Sequence, residues 1–244
     1  MVAEHIIKSY DQELQRLDNT ISEMGGMAES QLAAAIDAVV KRDSDLATEV
    51  IENDAKVDEL EHEVEGLVVR LLALRQPMAR DLRQIVAALK TATDLERICD
   101  YAANVAKRSI VLNQSAPVKP VYALPRMGTL CQGMVKDMLD AYVERDADKA
   151  LGVWLRDEEL DEMYTSLFRE LLTYMIEDAR NITPCTHLLF MAKNLERIGD
   201  HTTNIAETLY FLVHGKPLAQ IRPKRDRTSL AETPGINDSK EGAA

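Results

Sequence analysis

Residues 91–108 return one hundred positions later as residues 191–208, with eight of the eighteen positions identical. The shared set is Ala92, Leu95, Glu96, Arg97, Ile98, Asp100, Asn104 and Ala106, each matched by its partner at +100. An earlier stretch repeats as well. AIDAVVKRDSDLATEVIENDAKVDEL from Ala35 aligns with MLDAYVERDADKALGVWLRDEELDEM from Met138 at an offset of 103. Arg42/Arg145, Asp43/Asp146, Asp54/Asp157 and Asp58/Asp161 are among the shared positions. A self-similar period this long means that the chain is a duplication, and whatever one half folds into the other must follow. The offset falls by three residues between the two matched stretches, which places a deletion in a connection, where loops tolerate it.

The repeated unit is helical. Proline is absent from residues 1–76 and from 126–183, and intervals of that length are what long helices require. Aromatics are 5% and glycines few, which disfavours a β-sandwich. Ile7, Tyr10, Leu14, Leu17, Ile21 and Met24 follow 3-4 spacing, the mark of an apolar helical seam. The phase then shifts through Ala28, Leu32, Ala35 and Val39, with Gly25-Gly26 as a candidate bend. The first helix is predicted over about residues 5–41. A second seam, Val57, Leu60, Val64, Leu67, Leu71 and Leu74, predicts a helix over about 44–75. It is capped by the Asp43 region and stopped before Pro77. The third helix, about 79–113, carries the repeated motif. Ser115 to Pro120 reads as a linker. Helices at about 122–145, 147–179 and 183–214 follow, the last opening on Thr183-Pro184 and closing on Gly215. The expectation is an all-α protein of six long helices. It forms two tandem, homologous three-helix bundles, residues 1–115 and 121–215. A polar tail, 216–244, with a basic cluster at Arg222–Arg227, is expected to be disordered.

On the third helix Glu96, Asp100 and Asn104 stand at i, i+4 and i+8, a row of oxygen donors on one face. Asp54 and Asp58 form a matching pair on the second helix. The second half repeats both, as Asp157 and Asp161 and as Glu196, Asp200 and Asn204. Neighbouring carboxylates one turn apart repel by roughly 0.2–0.5 kcal/mol per pair, so rows kept in both halves suggest a cation. Antiparallel neighbours bring two rows to one site per bundle. A helical projection sets the rows away from Leu95, Ile98, Ala102 and Val105, and so near the surface. Oxygen donors without thiolates suit magnesium, manganese, calcium or iron. Arg97 and Arg197 are expected to pair with the acids. Asn104 and Asn204 are expected either as further ligands or as helix-to-helix hydrogen bonds. His62, not kept at Thr165, is read as a surface histidine, His201 as pointing away from the row, and Trp154 as core. Cys99 and Gly199 share one tightly packed place near the seam.

The formal net charge of −12 argues against a general nucleic-acid binder. Three scattered cysteines and no C-x-x-C fit a reducing compartment. Without a signal-like or membrane-spanning stretch in the sequence, a cytoplasmic location is expected.

The motifs LERICDYAANVAKR and LERIGDHTTNIAE, with MGGMAESQL, RDSDLATEVIENDAKVDELE, RQPMARDLR and TYMIEDARNI, resemble the PhoU family over about residues 5–214. The resemblance implies a non-enzymatic, cytoplasmic regulator that represses the phosphate-starvation response and restrains phosphate uptake. It implies partners too: a PhoR-type histidine kinase and the PstB ATPase of the PstSCAB phosphate transporter. Membrane association would be peripheral, through those partners, and the protein a homodimer that binds no nucleic acid. It further implies, as some members hold, multinuclear metal at Glu96, Asp100, Glu196 and Asp200, with iron, manganese, magnesium or zinc as the candidate ions. Cys99 stands where the family motif usually has glycine. The competing expectation is a ferritin-like, carboxylate-bridged di-metal enzyme. Such centres use two inward Glu-x-x-His motifs, and this chain has one, Glu59 to His62, which is not repeated.

Overall fold

The structure, a computed structural model, describes residues 2–117, 123–219 and 228, with side chains from Tyr10 onward. Among these, six long helices run in chain order. They are α1 (Val2–Lys41), α2 (Ser44–Arg75), α3 (Ala79–Asn113), α4 (Leu124–Glu144), α5 (Ala147–Glu177) and α6 (Ile182–His214). Each half is a three-helix bundle whose members all touch.

The local chemistry repeats with the sequence. Asp43 accepts hydrogen bonds from the N–H groups of Asp45 and Leu46, each 3.0 Å, and so caps α2. Asp146 does the same for α5 through Asp148 and Lys149, again at 3.0 Å. Just before each cap an arginine, Arg42 or Arg145, adopts the left-handed region with φ 55° or 56°, where a non-glycine residue is uncommon. Their guanidiniums differ in use. Arg42 donates to the carbonyls of Leu112, Asn113 and Ser115 at 2.6–3.2 Å, satisfying the open end of α3. Arg145 reaches across to Asp18 on α1 at 2.8 Å.

Several boundaries shift from the expected ones. The helix expected to end near 179 stops at Glu177, and Asp178 caps a short 3₁₀ turn, Ala179–Asn181, by accepting from the Arg180 N–H at 2.9 Å. That turn feeds directly into α6, so Pro184 sits inside the first turn, not at its first position. Gly25 and Gly26 do not interrupt α1. Gly25 serves close approach: a Cβ there would stand 2.3 Å from Leu139 Cδ2 of α4. Leu74, placed in the α2 seam, is exposed in the last turn of the helix. Of the expected disordered tail, residues 216–219 have left the helix and Leu218 rests against the core. The basic cluster at 222–227 lies outside the described residues, as does the linker from 118.

The two bundles do not hang separately. α3 and α6 pack along each other, α1 touches α4, and one continuous apolar core runs through both halves. Cross-contacts fix the direction of α3 against α6. Arg108 stacks on Phe190, Tyr101 meets Arg197, and Asp94 meets His201 and Asn204. The paired numbers fall as their partners rise, so α3 and α6 are antiparallel, with Cys99 and Gly199 near the centre of the pairing.

Candidate functional site

The rows converge as the duplication predicts: α2 with α3, and α5 with α6. In the first half Asp54 feels the charges of Asp100 and Asp58, and Glu96 those of Asp100, Glu61 and Asp58. Burial first, and then these like charges, push the Asp54 carboxyl up to about 6. Burial likewise lifts Glu96 to about 7, against the opposing pull of Arg97. The same acids surround the Cys99 thiol, whose ionisation burial and their charge both disfavour. Arg97 pairs with its own row as expected, 3.3 Å from Glu96 and 3.1 Å from Asp100. The cluster opens to solvent: Asp58 is exposed, while Asp54, Glu96 and Asp100 are half-buried.

The second half departs from the expectation of a surface row. Asp157, Asp161 and Glu196 are only 1%, 2% and 4% exposed, and Asp200 is half-buried. Packing distance is the reason, and a projection of one helix contains no such distance. A Cβ on Gly199 would lie 2.4 Å from Leu160 Cδ2 and 3.0 Å from Asp157 Oδ1. The missing side chain therefore lets α5 close down on α6 and carry its acids inward. At the equivalent places the first half has Cys99 and Val57, a larger residue facing a smaller one.

Two side chains missed by the sequence reading stand beside the second row. Lys193 puts its ammonium 2.8 Å from Glu196 and 4.9 Å from the centre of the Tyr164 ring. Their repeat equivalents are Thr93 and Glu61, so the first half has an extra acid where the second has a lysine and a ring. The signal was legible: Lys193 precedes Glu196 by one turn on the same face. Burial again pushes the Glu196 carboxyl up, and Lys193 opposes that rise.

The remaining candidates sort themselves by contact. Arg197 donates to the Tyr101 hydroxyl at 3.1 Å, because antiparallel α3 presents that ring to it, and it also feels the charges of Glu196 and Asp200 in its own row. Asn204 donates to Asp94 Oδ1 at 3.2 Å, the helix-to-helix alternative, and His201 lies 2.8 Å from the same oxygen. Asn104 is half-buried on its row. His62 is exposed and donates from Nδ1 to the Asp58 carbonyl at 2.7 Å. Trp154 is core, with its indole N–H donating to Glu207 at 3.0 Å.

Among the described residues, no three His, Cys, Asp or Glu side chains stand gathered as a finished metal site. The chemistry of the first-half donors nevertheless fits a hard cation: several partly desolvated carboxylates, a half-exposed arginine at the edge and an open side. The second half fits less well: Asp157, Asp161 and Glu196 are almost wholly buried, and a lysine ammonium stands 2.8 Å from the glutamate.

Fold and site together define a class: a duplicated all-helical protein with a carboxylate row between the second and third helices of each unit. A sequence profile described as PhoU domain matches residues 21–109 and 124–209. A Xylella fastidiosa protein named phosphate-specific transport system accessory protein PhoU homolog is 54% identical over 225 residues, covering 92% of this chain and 93% of its own. A Caulobacter vibrioides protein of the same name is 52% identical over 226 residues, covering 92% and 98%. The crystal structure of PhoU from Pseudomonas aeruginosa superposes with TM-score 0.83 at 39% identity, covering 85% of this chain and 100% of that one. The phosphate transport system regulatory protein PhoU from Streptococcus pneumoniae gives 0.79 at 29%, covering 86% and 100%. The chain belongs to the PhoU family.

Proposed function

We propose that this chain is a phosphate-signalling adaptor and not an enzyme. It represses the phosphate-starvation response when phosphate is plentiful, and it restrains uptake. The observation that carries this reading is the near full-length identity to relatives named as accessory proteins of a phosphate-specific transport system. Its working surface is the outside of a rigid helical body. The partners would be the PstB ATPase of the PstSCAB transporter and a PhoR-type histidine kinase, met at the inner face of the membrane by a cytoplasmic homodimer. No helix among the described residues is long and apolar enough to cross a membrane, which fits a peripheral role.

The first carboxylate row, Asp54, Asp58, Glu96 and Asp100, would hold hard divalent cations and so set the charge of one docking face. A bound cation would supply positive charge there. The carboxylates would bind it, and Arg97 would swing aside or share its acids. The ferritin-like alternative loses support, because Glu59 and His62 are both exposed on α2 and face no bundle centre.

Deleting the gene tests the adaptor reading. Phosphate-starvation genes should then be expressed in phosphate-rich medium, and normal repression in the deletion strain would refute it.

A further inference from the structure

The two carboxylate rows are copies in sequence but not in their surroundings. The first contains Asp54, Asp58, Glu61, Glu96 and Asp100 and is open at its edge. The second contains Asp157, Asp161, Glu196 and Asp200, the first three almost wholly buried, and has a lysine ammonium 2.8 Å from Glu196 and 4.9 Å from the centre of the Tyr164 ring. A carboxylate this buried calls for an opposite charge beside it, and the ammonium supplies one to Glu196 from within the chain.

We propose that Lys193 is the built-in counter-cation of the second row, so that metal capture by this chain is confined to the first. This rests on the cation-holding reading of the first row given above. The physical ground is competition. A divalent ion entering the second row must displace a tethered ammonium that loses no translational freedom on pairing. It must also open a site in which three of the four acids are almost wholly buried, and it meets a like charge on arrival. Lys193 is held from two sides, by the Glu196 carboxylate and by the face of the Tyr164 ring, where a cation is favoured. Neither partner has an equivalent in the first half: Thr93 stands for Lys193 and Glu61 for Tyr164. The duplication has thus diverged into one row open to ions and one that is buried with its glutamate already paired within the chain.

The test uses full-length protein carrying Asp54→Asn, Asp58→Asn, Glu61→Gln, Glu96→Gln and Asp100→Asn, so that only the second row is at issue, with manganese as the probe. With Lys193 in place, manganese content after equilibrium dialysis should stay at background and the melting temperature should not respond to the ion. Adding Lys193→Thr should tighten manganese binding by at least about tenfold, or about 1.4 kcal/mol, and make the melting temperature ion-dependent. Lys193→Arg should keep the row closed. Lys193→Met, which retains the stem over Tyr164, replaces the threonine variant if that protein loses helicity. Manganese uptake with Lys193 present, or no gain in uptake once it is gone, overturns the proposal. A wild type that takes up no manganese, beside a Lys193→Thr protein that does, would count against the first-row reading alone.

Discussion

Gly199 offers a sharp test of why the second row is buried. Its place in α6 demands no unusual backbone angle, so its value must lie in space. Alanine there would put a Cβ 2.4 Å from Leu160 Cδ2, in a side chain with no exposed surface. Ordinary carbon–carbon contact begins near 3.5 Å, so Leu160 or the whole of α5 must retreat by about 1 Å. Overpacking of this kind costs about 1–3 kcal/mol, against about 1 kcal/mol gained in helix propensity. The net expectation for Gly199→Ala is a loss of about 1 kcal/mol. Leu160→Val alone removes one methylene and leaves a small cavity, for a loss also of about 1 kcal/mol. Together they approximate the Val57 and Cys99 pair of the first half, and the double variant should return to about wild-type stability. The coupling energy is then about 2 kcal/mol, where independent sites would add to within about 0.5 kcal/mol. Guanidinium unfolding followed by Trp154, the single tryptophan, reads this directly because its buried ring lies on α5. Each kcal/mol should also move the melting temperature by about 2–4 °C. Additive single effects, or a stabilising Gly199→Ala, would refute the account of close α5–α6 approach.

Other outcomes follow from the same contacts. Asp43→Ala and Asp146→Ala each remove a side chain accepting two backbone N–H groups, and each should cost about 1 kcal/mol in chemical denaturation. Arg42→Ala exposes three carbonyls at the end of α3 and should speed amide exchange in that last turn relative to the middle of α3, whereas Arg145→Ala should leave that turn unchanged. The raised carboxyls of Asp54 and Glu96 hold protons in the folded state that the unfolded chain releases from about pH 4 upward. Metal-free protein should therefore lose stability as pH rises from about 4 to 7 and level off above, and Glu96→Gln should flatten that slope. A melting temperature that rises through this window in both proteins would contradict the burial of these acids. Trp154→Phe leaves Glu207 without its indole donor and should destabilise by about 1 kcal/mol, with Trp154→Phe/Glu207→Gln showing less than the sum of the single changes.

The sequence by itself determined the duplication, the helical class and most element ends. Those are local facts: proline-free runs, seam spacing at Leu17, Ile21 and Met24, aspartates before helices and glycine after α6. It also determined that Asp54 and Asp58 would face Glu96 and Asp100, since antiparallel neighbours with matching i, i+4 rows leave little choice. Only the tertiary structure decided how close the helices come. The missing Cβ at Gly199 brings α5 onto α6, buries Asp157, Asp161 and Glu196, and leaves Glu196 paired with Lys193, while the same motif with Cys99 stays open. Only the antiparallel pairing of α3 with α6 sends Arg197 to Tyr101 and Asn204 to Asp94. Both outcomes depend on distances between segments far apart in the chain, and helical periodicity encodes the direction of a side chain without the distance to what it meets.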